Sequence, residues 1–195
     1  MNAIHLALLV TAACVAWLQP LRIGFASRTM VGAVLSHPVL VQTKLDGTGG
    51  TVLINEFMAS NKTALEDEDG ENVDWIELYN PGTEPVALSG WSLTDDPGRP
   101  RRWTFPDVSL GGGEYLLVFA SGKDRRPVDP GVPLHTDFKL EADGEFLALF
   151  DSADPPHMVD GFSPAFPVQP VDVAFGRLGD ARLFEYLSEL SLIHI

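Results

Sequence analysis

Between Asp74 and Asp95 the chain switches twice from strand-forming to turn-forming residues. Asp74-Trp75-Ile76-Glu77-Leu78-Tyr79-Asn80 is rich in branched and aromatic side chains and halts at Pro81-Gly82. Proline fixes φ and glycine accepts a positive φ, so the segment reads as a strand followed by a turn. Val86-Ala87-Leu88, a break at Ser89-Gly90, and Trp91-Ser92-Leu93-Thr94 repeat the arrangement, with Trp91 and Leu93 on one face. Two short strands cannot bury their own indoles, so a second layer is required. The expectation is that Trp75, Trp91 and Trp103 meet between two antiparallel layers.

The rest of the chain supplies strands for that second layer. Thr51 to Phe57 is a β-branched run, Trp103 and Phe105 share a face, and Tyr115 to Ala120 is apolar on both faces, the mark of a central strand. Leu134 to Leu140 reads as one or two short strands. Asp143-Gly144 reads as a hairpin turn before Glu145–Phe150, with His157 to Asp160 as the antiparallel neighbour of that strand. Val171, Val173 and Phe175 fall on one face. No strand–helix alternation appears, so the pattern is all-β, a sandwich or barrel rather than a parallel nucleotide-binding sheet. Only the end differs: Leu183, Tyr186, Leu187, Leu190 and Ile193 follow Asp180 at helical spacing and predict a short C-terminal helix.

Residues 3–18 are apolar apart from His5 and Thr11, too short a run for a comfortable membrane span and about right for a secretory signal. Residues 1–26 are therefore read as a signal peptide or membrane anchor, which makes the protein secreted or cell-surface. Residues 27–50 read as a linker, 51–176 as the β-sandwich, and 177–195 as a tail opening a continuation. The only cysteine, Cys14, lies in the leader, so the core depends on packing and not on an internal disulfide. Of the formal charge of −14, residues 1–50 carry +2 and the remainder −16. Such acidity repels phosphate backbones and disfavours nucleic acid as a partner.

Several ordered blocks resemble the lamin tail domain. They are Ile54–Asn61, Asp74–Asn80, Leu88–Asp95, Trp103–Pro106, Gly113–Phe119 and Glu145–Leu149, and the resemblance covers roughly residues 50–176. It implies an immunoglobulin-like antiparallel β-sandwich of the bacterial secreted or surface type. In bacteria such domains look like accessory modules, often beside spore-coat-kinase-like or hydrolase domains. The acidic balance and the absence of a heptad rod argue against carrying over a nuclear role.

Several charged residues are candidates for chemistry. Asp67, Asp69, Glu71 and Asp74 offer hard oxygen ligands at short spacing, as calcium requires, but Gly70 stands at the fourth position from Asp67 and not at the EF-hand sixth. A solvated acidic loop is the stronger reading. Glu77 shares a face with Trp75 and Tyr79, and burial there calls for a partner, with Arg101 or Arg102 as candidates. His135 and His157 lie on separate strands with no cysteine near, which is short of a zinc site and reads as edge or surface placement. The basic pairs Arg101-Arg102 and Arg125-Arg126 read as loop charges facing water. Ser121-Gly122-Lys123 and Gly111-Gly112-Gly113 lack phosphate-loop spacing and read as turns. Asn61-Lys62-Thr63 has the form of a glycosylation sequon. No catalytic or cofactor site emerges. The expectation is a non-catalytic module that binds or positions a protein or cell-surface polymer, touching membrane only through an uncleaved leader. The alternatives are an accessory domain of a larger secreted enzyme and a calcium-dependent adhesion module.

Overall fold

The computed structural model describes residues 40–41, 52–178 and 184–187. The leader, Cys14, most of the 27–50 segment and residues 179–183 and 188–195 lie outside the described residues. In chain order the strands are β1 Leu40–Val41, β2 Leu53–Met58, β3 Asp74–Tyr79, β4 Val86–Ala87, β5 Ser92–Thr94, β6 Trp103–Thr104 and β7 Ser109–Leu110. They continue as β8 Tyr115–Ala120, β9 Leu134–His135, β10 Leu147–Phe150, β11 Met158–Ser163, β12 Ala174–Arg177 and β13 Phe184–Leu187. One sheet runs β1-β11-β10-β5-β6, the other β13-β12-β2-β3-β8-β9, and β4 and β7 form a small ribbon. Every pairing is antiparallel except β8 with β9.

The fold is the immunoglobulin-like β-sandwich expected from the sequence. Ile54, Phe57, Ile76, Leu78 and Val118 of the six-stranded sheet pack with Leu93, Trp103, Leu147, Leu149 and Phe162 of the five-stranded one. Phe57 and Phe162 meet edge to face with centroids 5.2 Å apart. Ile54 and Phe57 are three residues apart and a regular strand would point them to opposite faces. A bulge between Ile54 and Glu56 inserts Asn55 and turns both inward.

Four expectations are corrected. Trp103 lies in the inter-sheet core with Trp91 packed against it, but Trp75 belongs to a separate cluster with Met58, Phe119 and Ala174. The two-residue period decides this: Ile76 and Leu78 take the inner face of β3, so Trp75, Glu77 and Tyr79 take the outer one. The C-terminal helix is not formed at 184–187, which are instead the strand β13 on β12. Phe184 stacks on Phe175 and meets Phe162 edge-on, so strand period and aromatic contact override the helical spacing. The Asp143-Gly144 turn exists, with Gly144 N–H donating to Glu141 O, yet it joins no hairpin. Its incoming strand β9 pairs with β8 in the other sheet, while β10 pairs with β5 and β11. Gly144 has φ of +94° and a Cβ there would strike Phe166 O, so glycine leaves room for the neighbouring crossing. Lastly, Val171 is exposed in a turn and β12 starts only at Ala174, so Val171 and Phe175 do not share a strand face.

Candidate functional site

The charged residues converge on the end of the six-stranded sheet where β8 runs out. Residues 66–71 make a tight loop: Asp67 N–H donates to Glu71 O and Gly70 N–H to Asp67 O, with an antiparallel bridge between Glu66 and Asn72. Asp67 turns its carboxylate inward, where Oδ1 accepts the N–H groups of Asp69 and Glu71 at 3.0 Å each. The segment after β8 brings two cations to it. Lys123 Nζ bonds Asp67 Oδ2, lies 2.6 Å from Asp69 Oδ2 and 2.8 Å from Glu71 Oε2. Arg125 bonds Glu68 and reaches Asp69 Oδ2 at 2.7 Å.

The ionisation states agree with this arrangement. Burial opposes the charge on Asp67, but the Lys123 ammonium and the backbone donors of Glu71 and Asp69 hold its pKa below the ordinary value. Hydrogen bonds from Arg125 and Lys123 lower Asp69 to about 2. The loop is exposed as a solvated loop should be, except at Asp67, which is buried, and several of its acids are paired with the chain's own cations. Asp67, Asp69 and Glu71 come close enough together to share an ion. The ammonium of Lys123 already stands among them, so a metal ion would have to displace it. Asp74, the fourth calcium candidate, is engaged elsewhere, accepting Asn61 N–H at 3.1 Å.

Beside this cluster lies a constellation that sequence reading missed. Ser121 Oγ is 2.8 Å from His135 Nδ1, and His135 Nε2 is 2.9 Å from Glu68 Oε2. His135 lies on the edge strand β9, as expected, yet is fully buried there and stacked on Phe119, whereas His157 is exposed beside Asp151. Glu68, Ser121 and His135, in that order along the chain, give no local motif, so only the fold unites them. The arrangement has the composition of a hydrolase triad without its working geometry. Ser121 is buried, its Oγ accepts Lys123 N–H, and Glu68 is shared with Arg125, so no face is open to a substrate.

The other singled-out residues are likewise spent internally. Glu77 is only 1% exposed, and its partner is Asn55, whose Nδ2 donates at 2.7 Å. The bulge that turns Ile54 and Phe57 inward also delivers that amide. Arg101 and Arg102 are not its partners: Arg101 donates to the carbonyls of Gly90, Ser152 and Ala153, and Arg102 bonds Asp95. Burial raises Glu77 to about 7, against the pull of the Asn55 amide, and the charge of Glu56 directly across on β2 adds to the rise. Arg126 bonds Asp124 and lies over the Trp103 ring. The sequon is closed, because Asn61 Nδ2 donates to Leu65 O and Val73 O while Oδ1 accepts Ala64 N–H. A glycosylated Asn61 would lose that network. Asp172, unremarked in the sequence, accepts Lys62 N–H, Thr63 N–H and the Thr63 hydroxyl.

The residues that matched the resemblance are thus hubs of this scaffold, and a wider comparison bears on them directly. A family model described as the Lamin Tail Domain matches residues 46–162, more than half of the chain. The chain belongs to that family. No curated protein matches it. Within this lamin tail domain Asn61, Asp74 and Asn80 hold loops to the sheet; Asn80, for example, donates to Glu84 O and Leu110 O. The strands β12 and β13 extend its six-stranded sheet beyond the matched segment.

Proposed function

We propose that this chain is a non-catalytic binding and positioning module of an exported or cell-surface protein. One observation carries the reading: the Ser, His, Lys, Arg and acidic side chains that cluster beyond β8 are bonded to one another, while the large hydrophobic side chains left exposed among the described residues are four valines on loops, Val128, Val132, Val168 and Val171. Val128 and Val132 are 60% and 48% exposed, flanking a turn in which Val132 N–H donates to Asp129 O around Pro130 and Gly131. Val168 and Val171 are similarly exposed on the proline-rich crossing between β11 and β12. Loops held still by a sandwich are where such modules bind. Their partner is a protein or a cell-surface polymer, and the apolar leader directs the export. Placing a catalytic partner domain of a larger secreted enzyme is a use the same surface serves.

Two measurements test this. A reporter active only outside the cell, fused after residue 50, is expected to be active, and Leu9→Arg in the apolar run to silence it. Val128→Asp with Val132→Asp is expected to leave the melting temperature unchanged and to reduce retention of the full chain on its own cell surface. An inactive reporter removes export. Unchanged retention removes these loops as the binding surface.

A further inference from the structure

We propose that residues 62–73 form a strap across the outer face of the six-stranded sheet, fastened at its far end by Lys123, and that this end opens without unfolding the sandwich. The strap contributes only Ala64, Leu65 and Val73 to the cluster over Met58, Trp75, Phe119 and Ala174. None of those three belongs to the inter-sheet core, so releasing them leaves that core intact. Local opening of this kind requires few buried apolar contacts and hydrogen bonds near solvent.

The two ends are held by different physics. The near end is pinned by the Asn61 amide network and by Asp172, which accepts from Lys62 and Thr63. The far end, 66–71, is held to the rest of the domain by Lys123, Arg125 and His135. The Arg125 pairs are at the surface, with side chains 41% and 40% exposed for Arg125 and Asp69, so salt screens them. Asp67 is fully buried on its side chain, so its bond to Lys123 is the ammonium contact here that resists screening, and the buried His135 adds a hydrogen bond to Glu68. Beneath the strap, Trp75 Nε1 is buried with no acceptor among the described residues. A buried unpaired donor favours the state in which water reaches it. The closed strap therefore covers a buried indole N–H that has no acceptor, and Lys123 is the cation that holds it shut, with Arg125 and His135 beside it.

Hydrogen exchange on the full chain tests this, read by mass spectrometry for residues 62–73 and by NMR for the Trp75 indole N–H. In the wild type, raising sodium chloride is expected to speed strap exchange while β3 and β8 stay protected. Lys123→Gln is expected to raise the strap opening constant by about tenfold to a hundredfold at low salt, the range for a lost hydrogen bond to a charged group. Lys123→Arg is expected to restore protection. If Lys123→Gln does not fold, Arg125→Gln gives the weaker form of the same change, with faster strap exchange confined to 66–71. Strap amides that exchange only at the rate of β2 and β3 in every variant and at both salt levels overturn the proposal, because the strap would then be part of one cooperative unit.

Discussion

The two faces of strand β3 differ in a way that explains most of this domain. Inward, Ile76 and Leu78 lie fully buried among side chains of both sheets. Outward, Trp75, Glu77 and Tyr79 are also covered, but by a mixed surface: Trp75 under the strap, Glu77 against Asn55 and opposite Glu56, and Tyr79 stacked on Tyr115 at 4.4 Å. The inner face is stabilised by apolar contact alone. The outer face carries an unpaired indole donor and a carboxyl group that burial makes reluctant to ionise. One side of the sheet is organised for stability, and the other tolerates polar groups at a cost in free energy.

That contrast breaks first at the inner face. Phe162→Ala removes a ring that touches Phe57, Phe175 and Phe184, and is expected to cost about 3–5 kcal/mol in chemical denaturation, the range for emptying an aromatic core site. The next largest effect belongs to Glu77 and depends on pH. Its folded pKa of about 7 lies above the ordinary 4.5, so the folded state holds the proton more tightly than the unfolded one. The contribution of Glu77 to stability is then fully present below pH 4.5, falls as the unfolded state ionises, and stops falling above about pH 7. The whole drop is about 3 kcal/mol at most. Glu77→Gln keeps an acceptor for Asn55 and is expected to make the fall shallower, the remainder belonging to Glu145, which burial also raises to about 7. A wild-type stability that rises between those pH values would refute the assignment.

The inner face was legible in the sequence because alternation writes it down: Ile76 and Leu78, Leu147 and Leu149, Trp103 and Phe105 are spaced as a strand requires. Turn residues marked the element ends equally well. What alternation cannot say is which strand a strand pairs with, and so Asp143-Gly144 looked like a hairpin although β9 and β10 lie in different sheets. The outer face was less readable still. Glu77 was identified as a charge needing a partner, but that partner depends on a bulge at Asn55 that composition does not reveal. Ser121, His135 and Glu68 are brought together over 67 residues of chain, and no local pattern records it. The acidic loop was visible, its counter-ions were not, because Lys123 and Arg125 come from a distant segment.

Two smaller effects sharpen the difference between the faces. Trp75→Phe shortens an outer-face ring but removes the buried unpaired N–H, so the two changes oppose each other. The expected net change in a denaturant midpoint is under about 1 kcal/mol, well below that for Phe162→Ala. A loss as large as that of Phe162 would mean that the outer cluster is a second core of equal weight.

The smallest expected effect is none. A ligand bound only by the folded state must raise the melting temperature with its concentration. With the Lys123 ammonium standing among Asp67, Asp69 and Glu71, calcium would have to expel a cation that is covalently tethered to the domain and therefore present at high local concentration. The cage is also short of the six to eight oxygens that calcium takes, since Asp74 is turned away toward Asn61. The melting temperature of the full chain is therefore expected to be the same in millimolar calcium and in chelator. A rise that scales with calcium would show that Lys123 yields its place, and the acidic loop would then be an ion-dependent adhesive element instead of a strap closed by the protein's own charge.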